Sequence, residues 1–219
     1  KNTIDPEKII ENYGADAVRL FILSDSPPEK DVQWSEQGML ASYKFIQKLW
    51  GLHKKIKNNL SKNNNSKTDS DEISKFTNQL INKINGNLEK FNYNVFIANM
   101  YETYNFLSQK INNPINKKIL FENYRKVLSA MSPIIPHFAS ECLGDLKLNT
   151  FQKWPDVDEN MLESETVEYV IQINGKKRSI INSKKDIDEK TLIEKIKKDQ
   201  KIGKFLDGSN IIRSIFVKN

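Results

Sequence analysis

Apolar residues recur at helical spacing along most of the sequence between residues 35 and 145. After Ser35, a residue type that commonly caps helices, apolar side chains return every three or four positions for about seven turns. Later stripes with the same spacing begin near residues 73, 94, 119 and 136. This pattern predicts a bundle of five helices, each with one apolar face directed to a shared core.

Two shorter helices are predicted before this bundle. Asp5 followed by Pro6 fits a helix cap with a proline in the first turn, and Gly14 is suited to end that helix. Asp16 is placed to cap a second helix, on which Arg19 lies one turn later. We expect Asp16 and Arg19 to pair with each other, the alternative being that Arg19 reaches toward a body outside this sequence.

From Thr166 the spacing of apolar residues changes to the alternation typical of strands. Two strand-like runs, VEYVIQI and KKRSIIN, flank Asn174 and Gly175, a pair that favours a two-residue type I′ turn. A helical pattern over residues 188–206 and a β-branched run over residues 210–217 complete a ββαβ order. The predicted fold class is therefore mainly α, a helical bundle followed by a small α/β C-terminal domain.

Polar stretches indicate how the chain divides. Residues 61–71 contain no apolar side chain and predict an exposed loop, and the acidic stretch DVDENMLESE lacks a stripe that would form a core. The predicted parts are a connector over 1–34, a helical domain over 35–154, a linker over 155–165 and an α/β domain over 166–219. We expect the two domains to move as separate bodies.

The charge distribution indicates a polyanionic partner for the end of the chain. The sequence has 34 Lys and Arg against 28 Asp and Glu, a formal net charge of +6. Residues 1–165 are balanced, whereas residues 166–219 carry 13 basic and 7 acidic side chains and so hold the whole excess. Such asymmetry is typical of nucleic-acid binding, although a general abundance of lysine explains any single position equally well.

Cysteine usage and hydropathy indicate a compartment. Cys142 is the single cysteine, so no intrachain disulfide can form, which is typical of a protein in a reducing cytosol. No apolar run approaches the ~20 residues of a membrane span, and the N-terminus lacks the apolar segment of a secretion signal. We expect a soluble, cytoplasmic monomer without a membrane partner.

Few residues are suited to catalysis. His53 and His137 are the only histidines and, with Cys142, leave very few members for a nucleophilic or zinc site. The spacing of His137 and Cys142 does not bring them together on one helix face. The glycines are scattered and form no phosphate-binding loop. We therefore expect no catalytic residue, metal or cofactor here, with His137 bonding a neighbour at a helix start and Cys142 in the core.

The order of residues in the N-terminal connector resembles a known family. From Asp5 the chain reads D-P-x-x-I-I-x-x-Y-G-A-D-x-x-R-L-F, followed by P-P-E-x-D-x-x-W-S. This is similar to the segment just after the KMSKS loop of class I aminoacyl-tRNA synthetases. The isoleucyl and valyl branches share the G-A-D-x-x-R part, whereas the double proline, Glu29, Asp31 and the Trp34–Ser35 pair resemble the leucyl branch.

Later motifs continue the resemblance. The runs F-N-Y-N-x-x-I-A from Phe91 and P-H-x-x-x-E from Pro136 resemble the anticodon-binding helical domain of these enzymes. The run V-x-x-V-I-Q-I-N-G-K-x-R from Val167 is similar to the small C-terminal domain of the bacterial leucyl type. The chain departs from the family after Pro136, where PHFASECLGDL stands in place of the usual P-H-x-A-E-E-L-W.

The resemblance implies the C-terminal part of a bacterial-type leucyl-tRNA synthetase, beginning just after the KMSKS loop. The parent enzyme is expected to be a leucine–tRNA ligase that uses ATP and Mg²⁺, with tRNA(Leu) and the catalytic body of the same chain as partners. The HIGH and KMSKS motifs do not occur in the sequence, so these residues alone are expected to bind tRNA and to catalyse nothing. The alternatives are a synthetase of valyl or isoleucyl type and a stand-alone helical module that binds RNA or protein.

Two groups of basic residues are candidate tRNA contacts. The first is a row on the long helix, formed by Lys44, Lys48, Lys55 and Lys62. Such a row suits a phosphate backbone, but solvated lysines opposite an apolar face are equally typical of any amphipathic helix. The second group follows the predicted turn and is formed by Lys176, Lys177 and Arg178. We expect this hairpin tip to contact RNA, with Arg178 suited to stack on an exposed base.

Overall fold

The computed structural model of this protein describes residues 4–25, 30–61, 71–149, 153–162, 166–184, 187–198, 202 and 214–216. The chain divides into two compact units, Lys1–Leu162 and Glu163–Asn219.

The described part of the first unit consists of α-helices with one short 3₁₀ turn. The helices are α1 (Pro6–Tyr13), α2 (Ala15–Asp25), α3 (Glu36–Ser61), α4 (Asp71–Glu89), α5 (Tyr93–Lys110), α6 (Lys117–Met131) and α7 (Pro136–Asp145). The five helices predicted after residue 35 are therefore confirmed as α3 to α7.

Local caps place the first helices where the sequence predicts them. Asp5 caps α1, because its Oδ1 accepts a hydrogen bond of 3.0 Å from the amide of Glu7. Gly14 ends α1 with a φ of +83°, a backbone conformation that residues other than glycine rarely adopt. Ser35 caps α3 by accepting a hydrogen bond of 3.1 Å from the amide of Gly38 at its Oγ.

A close approach of α2 and α3 depends on Gly38. A Cβ atom at this position would lie 2.7 Å from the ring of Phe21. Two carbon atoms do not approach this closely unless the ring or the backbone shifts. The missing side chain therefore lets the Phe21 ring pack directly on the first turn of α3.

One apolar core joins α2 to α7. Its fully buried members include Leu20, Met39, Ile56, Ile81, Phe96, Met100, Leu120, Leu128 and Leu143. Burial of each large side chain contributes roughly 1.5–3 kcal/mol to the free energy of folding. The apolar stripes of the sequence therefore become the inner faces of the bundle.

The segment 153–162 lies against α4. The Trp154 Nε1 donates to the Asn85 Oδ1 at 2.9 Å, and the amide of Asp158 donates to the Asn78 Oδ1 at 2.8 Å. Pro155, in the same segment, is buried. The residues from 155 to 162, predicted to be linker, thus belong to the first unit, while the mobility of the predicted domains stays a prediction.

The second unit contains a hairpin and a helix in its described part. Strand β1 (Thr166–Ile173) pairs antiparallel with β2 (Lys176–Lys184), and α8 (Glu189–Lys198) follows. Tyr169, Ile187 and Leu192 form the buried centre of this unit. The predicted strand at 210–217 falls largely outside the described residues, and residues 214–216, which are described, are not in a strand.

Two further predictions concern the loop over residues 61–71 and the absence of a membrane span. Residues 62–70 of the predicted loop lie outside the described part of the chain. Among the described helices, none is both long enough and apolar enough to cross a membrane.

Candidate nucleic-acid interface

The lysine row on α3 follows from the helical period. Buried residues such as Phe45, Leu49 and Ile56 form the inner face of α3. Lys44, Lys48 and Lys55 are exposed on one strip of its outer surface. Lys62 lies outside the described residues.

The charges of this strip are not compensated on α3. The helix contains five lysines and a single acidic residue, Glu36, in its first turn. Lys57 pairs with Asp145 at 3.0 Å, but within the described residues no carboxylate pairs with Lys44, Lys48 or Lys55. A row of unpaired cations creates a positive potential that attracts a polyanion.

The hairpin tip has the turn that the sequence predicts. Asn174 and Gly175 have φ values of +51° and +73°, and Ile173 pairs directly with Lys176 across them. Positive φ at both central positions is the requirement of a type I′ turn, so the predicted hairpin is confirmed.

A β-bulge follows the turn. Gln172 pairs with Lys177 but Ile171 pairs with Ser179, so Arg178 is the extra residue on β2. A bulge bends its strand and re-aims the inserted side chain. Lys176, Lys177 and Arg178 are all exposed, so three consecutive basic residues face solvent directly after the turn. Whether they or the α3 lysines contact RNA stays a prediction.

Tyr101 is an aromatic residue that the sequence does not single out. The helical period counts it among the apolar residues of α5, but the residue is 41% exposed and its ring stacks on that of Phe45, with centroids 3.7 Å apart. Burial raises the pKa of its phenol. The ring therefore remains uncharged at neutral pH and presents an apolar surface to solvent.

Asp16 and Arg19 have structural roles that differ from their predicted ones. Asp16 caps α7, because its Oδ1 accepts from the amide and Nδ1 of His137 and its Oδ2 accepts from the amide of Phe138 at 2.6 Å. Arg19 donates to the carbonyls of Pro133 and Ile134 at 2.7 and 3.0 Å. The predicted Asp16–Arg19 pair is wrong, because both side chains bond the start of α7, whose own N-cap position is Ile135 and offers no side-chain acceptor.

His53 belongs to a buried polar cluster. Its Nε2 lies 3.2 Å from an Asp145 carboxylate oxygen and its Nδ1 lies 3.0 Å from the Tyr124 hydroxyl. The carboxylate fixes the proton on Nε2, so that Nδ1 accepts from Tyr124. Burial lowers the pKa of His53 and raises the pKa of Tyr124, which keeps both groups neutral.

The thiol of Cys142 lies next to this cluster. Burial raises the pKa of Cys142 well above its usual range, so the side chain is a neutral thiol and a poor nucleophile. His137 lies at the start of α7, and its Nδ1 donates a hydrogen bond to Asp16 of α2, as predicted for a histidine at a helix start. Among the described residues, no group of three His, Cys, Asp or Glu side chains is arranged to hold a metal ion.

Comparisons with known proteins match this chain to tRNA ligases. The family model described as the anticodon-binding domain of tRNA ligase matches residues 70–195. The leucine–tRNA ligase of Fusobacterium nucleatum is 34% identical over 100% of this chain, and that of Thermotoga maritima is 35% identical over 99%. The chain spans 27% and 28% of the length of these two relatives.

A solved structure shares the fold. It is described as the ternary complex of the Agrobacterium radiobacter K84 agnB2 LeuRS with tRNA and LeuAMS. The match has a TM-score of 0.77 and 21% sequence identity and covers 99% of this chain and 29% of that one. At 21% identity the similarity supports a shared fold and no more.

Proposed function

This chain belongs to the anticodon-binding domain family of tRNA ligases, and on that premise we propose that it is the tRNA-binding C-terminal part of a leucyl-tRNA synthetase. The observation that carries the proposal is the similarity to leucine–tRNA ligases along essentially the entire chain, at 34% and 35% identity. It includes the helical unit and the hairpin unit together. A stand-alone interaction module would not require that combination.

The proposed partner is tRNA(Leu). The solved neighbour is described as a complex that contains tRNA. This chain carries two sets of exposed cations, which are Lys44, Lys48 and Lys55 on α3 and the three basic residues of the hairpin tip. Phosphate contacts made by lysine and arginine release counterions, which makes the affinity depend steeply on salt concentration. The arginine at the tip adds a planar group that stacks on bases as well as binding phosphate.

We assign the chemical reaction of the parent enzyme to its catalytic body, a different part of the enzyme from the residues of this chain. We infer that the parent is a cytoplasmic leucine–tRNA ligase that uses ATP and Mg²⁺. The sequence has no phosphate-binding glycine loop, and the described residues hold no group of three His, Cys, Asp or Glu side chains arranged for a metal ion. This chain's own part is to hold tRNA.

The hairpin tip provides the direct test of the proposal. We expect alanine at Lys176, Lys177 and Arg178 to weaken binding of a tRNA(Leu) transcript and to reduce the slope of log affinity against log salt. The slope changes by about 0.7 to 0.9 for each phosphate that the protein no longer neutralises. A filter-binding titration across a salt series measures both quantities.

Two controls accompany this titration. The double variant Lys190→Ala/Lys197→Ala removes exposed charge from α8 of the same unit and is expected to have the smaller effect. Circular dichroism of each variant verifies that the fold is retained. Equal affinity and slope for the parent and the tip variant would exclude the tip as an RNA contact. In a parallel assay, leucine-dependent ATP–pyrophosphate exchange above a buffer blank would contradict the assignment of catalysis to another part of the enzyme.

A further inference from the structure

The surface between α3 and α5 combines the lysine row with an exposed aromatic ring. Phe45 of α3 stacks on Tyr101 of α5, and the Asn59 Nδ2 donates to the carbonyl of Ile111 at 3.0 Å. These two contacts fix which side of α3 faces α5. We call the surface along this side, bounded by Lys44, Lys48 and Tyr101, the α3–α5 groove.

Helical geometry places the lysine row beside this groove. Lys44 immediately precedes Phe45, and Lys48 follows it by about one turn. With about 100° of rotation per residue, both lysines lie on the solvent side of the contact between α3 and α5. Lys55 continues the same strip further along the helix.

Tyr101 contributes the aromatic surface of the groove. One face of its ring covers the ring of Phe45, which is 2% exposed, and the two planes are inclined by 21°. Tyr101 is 41% exposed, so part of the residue outside its contact with Phe45 is accessible to a ligand. A ring held parallel to a buried ring loses little further freedom when a third planar group stacks on it.

The electrostatic surroundings favour an anion in this groove. The neighbouring acidic residue on α5, Glu102, lies one residue along the helix and is paired with Lys83 of α4 at 3.7 Å. Lys44 and Lys48 have no carboxylate partner among the described residues. An apolar protein segment would leave both cations unmatched, whereas an RNA strand supplies a base for the ring and phosphates for the lysines.

We propose that the α3–α5 groove binds an unpaired nucleotide of RNA, with its base stacked on Tyr101 and its flanking phosphates on Lys44 and Lys48. This inference rests on the proposed function and gives the helical unit an RNA contact of its own, independent of the hairpin tip. Stacking on a tyrosine tolerates any base, so the contact contributes affinity and position and does not discriminate between sequences.

Substitution of Tyr101 tests the stacking. Tyr101→Leu keeps an apolar cover on Phe45 but removes the ring, and it is expected to weaken binding of a tRNA(Leu) transcript by about fivefold or more. Tyr101→Phe keeps the ring and should bind within about twofold of the parent. The double variant Lys44→Gln/Lys48→Gln should lower the salt slope, by about 0.7 to 0.9 for each phosphate it ceases to neutralise. Thermal unfolding of each variant shows whether the helical core remains folded.

A crosslinking experiment covers the case in which Tyr101→Leu disturbs folding. Benzoylphenylalanine in place of Tyr101 should crosslink to bound tRNA on irradiation. The same residue in place of Gln47, an exposed position of α3 that helical rotation directs away from Phe45, should not. Unchanged affinity in the folded Tyr101→Leu variant, or no crosslink from position 101, would overturn the groove as a site. Failure of the unmodified chain to bind tRNA at all would instead overturn the proposed function.

Discussion

His53 is a buried residue whose charge state affects the stability of the helical unit. Burial lowers its pKa, while the Asp145 carboxylate opposes that shift in part. In the unfolded chain an imidazole protonates near a pH of about 6.5. Between that pH and the lower pKa of the folded state, the unfolded chain binds more protons, so the free energy of unfolding falls as the pH falls.

The residue-scale prediction concerns this pH dependence. We expect the melting temperature of the chain to decrease between about pH 7.5 and 5.5, and this group lowers the stability by at most about 1.4 kcal/mol per pH unit. His53→Gln should have a lower melting temperature at neutral pH but a flatter profile. Differential scanning calorimetry across the pH series measures both, and parallel profiles for the two proteins would rule out His53 as the titrating group.

At the scale of elements, the contact between α2 and α7 connects parts of the chain that are far apart in sequence. Asp16 is 7% exposed and accepts hydrogen bonds from residues 121 and 122 positions later. It thereby satisfies amide groups that the start of α7 leaves without a side-chain acceptor of its own. Arg19 adds two bonds to the turn that precedes α7.

The element-scale prediction compares two caps. Asp16→Ala is expected to destabilise the helical unit by about 2–3 kcal/mol, because it removes a cap and leaves buried amides without partners. Asp5→Ala removes an exposed cap at the start of α1 and should cost at most about 1 kcal/mol. Urea unfolding followed by far-ultraviolet circular dichroism measures the difference. Equal costs would mean that water satisfies the start of α7 when Asp16 is removed.

At the scale of the whole molecule, the end of the first unit is set by the segment on α4. Pro155 is buried there, Val157 packs on the helical core, and Asn78 and Asn85 hold the segment by side-chain hydrogen bonds. The helical unit with this segment therefore has a core and polar contacts of its own.

The prediction at this scale uses two truncations. A chain that ends at Leu162 should keep the helical signal and the melting temperature of the first unit to within about 2 °C, whereas a chain that ends at Asn149 should melt several degrees lower. The second truncation removes apolar packing and two hydrogen bonds, worth roughly 1–3 kcal/mol, and each kcal/mol shifts the melting temperature by about 2–4 °C at this size. Equal melting temperatures for the two truncated chains would show that the segment adds no stability.

The sequence by itself determined the features that depend on neighbours a few residues away. The caps at Asp5 and Ser35, the apolar stripes of α3 to α7 and the turn at Asn174 and Gly175 follow from local hydrogen bonding and helical or strand period. The exposed basic tip is also readable in this way, since it directly follows the turn.

The tertiary structure alone decided the features that depend on distant partners. Asp16 was expected to bond within its own helix, but packing of α2 against the turn before α7 offered it unsatisfied amides. The partners of His53 lie 71 and 92 positions away, and the stacking of Tyr101 on Phe45 depends on how α5 packs against α3. Neither local propensity nor period specifies such distances, because they are set by how the helices pack around a common core.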